Sequence, residues 1–207
     1  MINVYNFAGR TGLKRRSSYI VAEGFIRIKK GCDNAMKTKK QQELVDSFLD
    51  ALDNELGSLY REIVMCLSEL GYYPRKQRSY IVFKHDLHNR EMAKMGMTLT
   101  KDASPYFDLR FSACTGYSER FADVVRAYIN KNPNRLFPHC KNDKCVFRAD
   151  GERAPYYEAA FLDGETKSCC GAKALNIPND DLVAIDEIKL LIKEEHEYLM
   201  KHEASIA

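Results

Sequence analysis

Between residues 41 and 70, apolar side chains recur every three or four positions, at Leu44, Val45, Phe48, Leu49, Leu52, Leu56, Leu59, Ile63 and Leu67. That period places them on one stripe of an amphipathic helix. Gly71, followed by Tyr72-Tyr73-Pro74, supplies a stop. The spacing predicts a single long helix over 41–70. The period then shortens to two. Residues 79–83 (SYIVF) and 106–113 (YFDLRFSA) read as strands; in the second, Phe107, Leu109, Phe111 and Ala113 share a face, with Asp108, Arg110 and Ser112 on the other. The stretch 91–99 (EMAKMGMTL) has no clear period, and its place between two strands favours a third.

A second amphipathic helix is expected over 118–131. Ser118 is its N-cap with Glu119 just inside, and Phe121, Val124, Val125, Tyr128 and Ile129 form the buried stripe. Asn132-Pro133 ends it. A strand at about 155–162 (PYYEAAFL), a turn at Asp163-Gly164 and a return strand into SCCG predict a hairpin. The last helix starts at Asn179 or Asp180 and runs to about 202. Leu182, Ile185, Ile188, Ile192 and Leu199 face inward and its acidic residues face out. Together these elements predict an α+β fold: an antiparallel sheet covered by helices on one face, with a Cys-bearing β-hairpin and a C-terminal helix.

Residues 41–207 read as a single domain with its Cys-rich hairpin at 136–172. Residues 1–40 read as a basic N-terminal arm, with a short hairpin over 18–30 and a linker over 31–40. Charge sharpens that division. The arm holds ten Lys or Arg against Glu23 and Asp33, a balance of +8; the chain as a whole is +3, so the remainder is −5. Such segregation suits an arm that meets nucleic acid or another acidic partner, or one that lies across the acidic remainder of its own chain. No apolar run approaches the ~20 residues a membrane helix requires, and the N-terminus lacks the apolar core of a secretory signal. A cytoplasmic location without a membrane partner is the expectation.

In that compartment thiols stay reduced, so the seven cysteines read as ligands, nucleophiles or core residues before disulfides. Five candidate metal-binding residues form two short clusters: His139, Cys140 and Cys145 in a polar loop, and Cys169 and Cys170 on the return strand. Zinc takes four thiolate or imidazole ligands in a tetrahedron. A hairpin would fold the second cluster back onto the first, making Cys140, Cys145 and Cys170, completed by His139 or Cys169, a feasible set. Adjacent residues on a strand point to opposite faces, however, so Cys169 and Cys170 are poorly placed to bind one ion together. Inert thiols or a reversible disulfide explain the same spacing.

Several runs stand around these clusters: LGYYPRK, YFDLRFSA, GYSERF, DGET, the CG pair and EIKLLIKEEHEY. In these the chain resembles a group of uncharacterised bacterial proteins with a cysteine-bearing C-terminal hairpin and helix. The likeness spans about residues 40–205 and implies one domain with cysteine loops.

Other motifs compete with plainer explanations. Cys114 and Arg120 satisfy C-x5-R, the spacing of a phosphate loop with a nucleophilic thiolate. One glycine and the neighbouring Glu119 argue against it, and a capped helix after a strand explains each residue. His85 and His88 could ligate metal, but the sequence offers no third partner. His196 and His202 lie six positions apart, on different sides of their helix, and read as solvated. In GYYPRKQRSY, Tyr73, Arg75, Lys76 and Arg78 pair a stacking ring with cations; with Arg15, Arg16, Lys29 and Lys30 of the arm they form a candidate surface for single-stranded nucleic acid. A helix-to-strand turn with its tyrosines packed and its basic residues solvated is the plainer explanation.

No complete catalytic motif is present. The expectation is a binding or regulatory module, not an enzyme, with a structural zinc or thiol cluster. The alternatives are a nucleic-acid-binding protein using the arm and the Tyr/Arg turn, and a thiol-dependent enzyme using Cys114 or Cys145.

Overall fold

The computed structural model describes residues 36–133 and 155–203, with side chains to residue 201. The chain divides between Lys30 and Gly31, and everything described belongs to the second unit. Residues 1–35 of the expected arm lie outside the described residues, Arg15, Arg16, Lys29 and Lys30 among them. Residues 37–40 are no linker. Thr38 caps the first helix through a capping box with Gln41, and Lys37 pairs with Asp86.

The fold is α+β, as its periodicities predict. Among the described residues, a five-stranded antiparallel sheet has the order β1 (Tyr72–Gln77), β2 (Tyr80–His85), β3 (Glu91–Met97), β4 (Pro105–Leu109) and β7 (Leu175–Ile177). A separate ribbon pairs β5 (Tyr156–Ala160) with β6 (Thr166–Cys170). Helices α1 (Lys39–Leu49), α2 (Asn54–Glu69), α3 (Glu119–Lys131) and α4 (Ile185–Glu203) pack with these strands, and a short 3-10 helix at Asn179–Val183 leads into α4. One core joins them. From the sheet come Ile81, Phe83, Met95, Phe107, Leu109, Leu175 and Ile177; from the helices come Tyr60, Ile63, Leu67, Phe121, Val125, Ile188 and Ile192, all 5% exposed or less.

Three sequence expectations change here. The helix over 41–70 is two helices. Asp50 closes α1, and the Asp53 side chain accepts from the Leu56 amide at 2.8 Å to start α2. A carboxylate that can bond the backbone locally offers the chain an alternative to continuing a helix. The apolar stripe runs on across the break because both helices pack on the same core. Second, the GYYPRKQRSY turn is a strand, β1, joined to β2 by a tight turn in which Arg78 has φ +53°. Third, the acidic side of α4 is not all outward: Glu195 is 0% exposed.

Two glycines set close approaches. Gly71, at φ +86°, ends α2, and a Cβ there would come within 2.9 Å of His85 Nε2. At Gly171, just after β6, a Cβ would lie 2.4 Å from both the Pro155 carbonyl oxygen and Ser112 Cβ. Only glycine lets the ribbon close on the end of β4.

Candidate functional site

Beyond Leu109 the chain leaves β4 and crosses to α3, and residues 110–118 are held from two sides. Arg110 points inward, 3% exposed, and its Nε lies 2.7 Å from Glu195 Oε1 on α4. The other oxygen, Oε2, accepts the Ala113 amide at 2.7 Å, and the Ser112 hydroxyl lies at 3.4 Å from Oε1. Burial pushes the Glu195 carboxyl up, while the guanidinium, the amide and the hydroxyl pull it back down. From the ribbon side, the Tyr157 hydroxyl accepts the Phe111 amide at 3.2 Å and donates to the Lys173 carbonyl at 2.7 Å. Tyr117 donates to the Glu158 carbonyl at 2.6 Å, and the Ser118 amide donates to Glu187 Oε1 at 2.8 Å.

This tethered loop forms one wall of a cleft of about 520 Å³. Ser112 through Tyr117 line it from the loop, Pro155, Tyr156 and Glu158 from the ribbon, and Tyr198 from α4. A wall fixed by hydrogen bonds from two directions presents its polar groups at constant spacing, which is what a binding site needs.

Cys114 sits in this wall as a thiol. Its sulfur donates to the Leu191 carbonyl at 3.3 Å. Burial first, then the nearby Glu195 and Glu194 carboxylates, push its pKa far up. Arg120 turns away to Asp181, 3.4 Å from its carboxylate, so the two ends of the C-x5-R spacing do not converge on a common point. The phosphate-loop geometry is absent.

Of the expected metal ligands, His139, Cys140 and Cys145 lie outside the described residues. The other two part company on β6. Cys169 is 1% exposed in the core, and burial with the adjoining Cys170 pushes its thiol up to about 12. It pairs with Tyr157 across the ribbon and shares that residue's face. Cys170, half-buried, pairs with Tyr156 and shares the ribbon face that carries Glu158 and Ser168.

The histidines differ most from expectation. His85 and His88 stack flat, with centroids 4.2 Å apart and planes 7° from parallel. The third histidine is His196, whose ring lies 5.5 Å from that of His85 and whose Nδ1 is 3.3 Å from the Tyr72 hydroxyl. It is half-buried and not solvated. Among the described residues, no group of three His, Cys, Asp or Glu is arranged to hold a metal ion. The reason here is that Nδ1 of His85 accepts the Leu87 amide and Nδ1 of His88 the Arg90 amide, each at 3.2 Å. Those lone pairs face the backbone, and the stacked rings do not aim at one point.

The proposed nucleic-acid residues occupy the edge strand β1 and its turn. Arg75, Lys76 and Arg78 are exposed, and Arg75 donates to Asn89 at 2.8 Å. Tyr73 is half-buried, with the Lys37 ammonium 4.7 Å from its ring centroid. Proline and cations on an edge strand also keep it from pairing with another chain. Among the described residues, no helix is long and apolar enough to cross a membrane.

No family model, no curated protein and no solved structure matches this chain. The site must therefore be read from its own geometry. Sequence reasoning misses the cleft because its residues come from three separate segments. The one signal available is the cluster of Tyr156, Tyr157 and Glu158 beside the cysteines.

Proposed function

We propose that this protein is a binding or regulatory module whose ligand occupies the cleft between the 112–117 loop, the β5–β6 ribbon and Tyr198. The observation that carries the proposal is the double tethering of one wall: the Glu195 carboxylate holds the loop from α4, and the Tyr157 hydroxyl holds it from the ribbon. Burying an Arg–Glu pair costs desolvation that apolar packing would avoid. Its placement directly behind a cleft favours a role in holding that wall. Catalysis by Cys114 is disfavoured, since its sulfur already donates a hydrogen bond and its thiolate would face two carboxylates. The test is a fragment screen by NMR on the full chain, repeated on Thr115→Trp, which fills the cleft from an exposed position. Binders should perturb Thr115, Gly116, Tyr117 and Tyr156 in the wild type and be lost in the variant. Binders that gather elsewhere, or that bind the variant equally well, overturn the assignment.

A structural zinc or thiol cluster stays within this proposal, built from Cys140, Cys145 and Cys170 and completed by His139 or Cys169. Its support among the described residues is the position of Cys170 on the outward ribbon face. Protein purified without chelators should carry about one equivalent of zinc, lost in Cys170→Ser. A metal-free wild type would remove the zinc and leave the cleft in place.

A further inference from the structure

The walls of the cleft have an uneven chemistry. Among the described residues that line it, three are tyrosines: Tyr117 from the loop, Tyr156 from β5 and Tyr198 from α4. One is a carboxylate, Glu158, exposed at the ribbon edge and bonded to the Ser168 hydroxyl at 3.2 Å. None of these described lining residues is Lys or Arg. Arg110, whose guanidinium meets Glu195, is 3% exposed and turned away from solvent.

Aromatic rings attract cations through their negative faces, and quaternary or alkylammonium groups are bound in this way because they carry charge inside an apolar shell. An anionic ligand would meet the Glu158 carboxylate with no cation among the described walls to offset it. A fully apolar ligand would leave the Glu158 carboxylate facing it. The remaining class is a cation with apolar substituents, small enough for about 520 Å³. We infer that the cleft binds an organic ammonium ion, with Tyr117, Tyr156 and Tyr198 around its alkyl groups and Glu158 as its counter-ion. The inference rests on the cleft being the binding site and adds the ligand's chemistry.

The probe pair is choline and its neutral isostere 3,3-dimethylbutan-1-ol, titrated into the full chain and followed by NMR. Choline should perturb the three tyrosines. It should bind about fivefold or more tightly than the isostere and weaken by a similar factor in Glu158→Gln, a difference of ~1 kcal/mol. Tyr156→Leu keeps much of the bulk and removes the ring's negative face, so it should weaken choline and leave the isostere unchanged. Equal binding of both probes within the cleft would overturn the ammonium assignment and leave the cleft standing. Perturbations confined to residues outside the cleft, or none with either probe, would overturn both.

Discussion

Glu195 and His196 are neighbours on α4, yet they anchor the helix to two unlike surroundings. Glu195 is fully buried, and a charged group or an amide meets each of its oxygens: Arg110 Nε at 2.7 Å and the Ala113 amide at 2.7 Å. His196 meets neutral groups at ring distance, Tyr72 and the imidazole of His85. The first contact holds a loop by complementary charge. The second holds a turn by the tautomer of uncharged rings. A buried charge fixes geometry as long as its partner is present; a contact between neutral imidazoles fixes it only while no proton arrives.

The largest effect should follow from removing one partner of the charged contact. Glu195→Ala leaves the Arg110 guanidinium buried without its carboxylate, at a cost of about 3–5 kcal/mol. Urea denaturation should show a greatly lowered midpoint. Replacing both by apolar side chains, Arg110→Met with Glu195→Leu, should recover much of the loss. If the double variant is no more stable than Glu195→Ala, the charge account of this anchor is wrong.

Next in size is Gly171→Ala, which attacks the same loop from the ribbon. The added methyl would meet backbone oxygen and a Cβ at 2.4 Å, neither at the end of a flexible side chain. A cost of about 1–3 kcal/mol is expected, with NMR shifts centred on Ser112 and Pro155. An unchanged midpoint would show that the ribbon does not press on the loop.

The neutral contact should respond to acid. Burial lowers the pKa of both His85 and His196; at His85 the neighbouring His196 and Lys37 add to the effect, while the Leu70 carbonyl opposes it, and at His196 Glu197 opposes it. A base whose folded pKa lies below its unfolded one is costly to protonate in the folded state. Stability is full above about pH 6.5 and falls as pH drops below it, by up to about 1.4 kcal/mol per pH unit for each proton excluded. Protonation of His85 or His88 would also turn an Nδ1 acceptor into a donor facing a backbone amide. Glu195, with its carboxyl raised, acts with the opposite sign above its unfolded range, so the comparison must be made by difference. His85→Asn with His196→Asn keeps an acceptor near Nδ1 that does not titrate. The stability of this variant should vary less between pH 7 and 5 than that of the wild type, and parallel curves would refute the account.

Which of these contacts is legible beforehand follows from what a period can carry. The stripes of α2, α3 and α4 and the alternation in β4 name most of the core, because burial repeats with the geometry of each element. The break at Asp50–Asp53 does not show, since the stripe continues through it. Nor does β7, whose three residues are too short for any period. Glu195 reads as outward because acids usually are; only the arrival of Arg110 from the end of β4 makes it an inward residue, and strand register is not written in α4. The position of His196 is hidden for the same reason. Its partners are 111 and 124 positions away, at His85 and Tyr72, and no local spacing announces them.

Two buried tyrosines test the comparison most finely, and one of them, Tyr72, carries the smallest expected effect. Tyr157 joins the charged side: its hydroxyl accepts at 3.2 Å and donates at 2.7 Å, so Tyr157→Phe loses both bonds and leaves the Phe111 amide without its acceptor. Tyr72 joins the neutral side with one long contact, 3.3 Å to His196. Its ring packs edge-on to His85 at 4.9 Å, and Tyr72→Phe keeps that ring. Tyr157→Phe should cost about 1–3 kcal/mol and Tyr72→Phe about 0.5 kcal/mol. Urea midpoints of the two variants at pH 7.5 make the measurement. Equal losses would mean that the hydroxyl of Tyr72 holds α4 as firmly as that of Tyr157 holds the loop, and that the neutral anchor depends on polar bonding more than on ring packing.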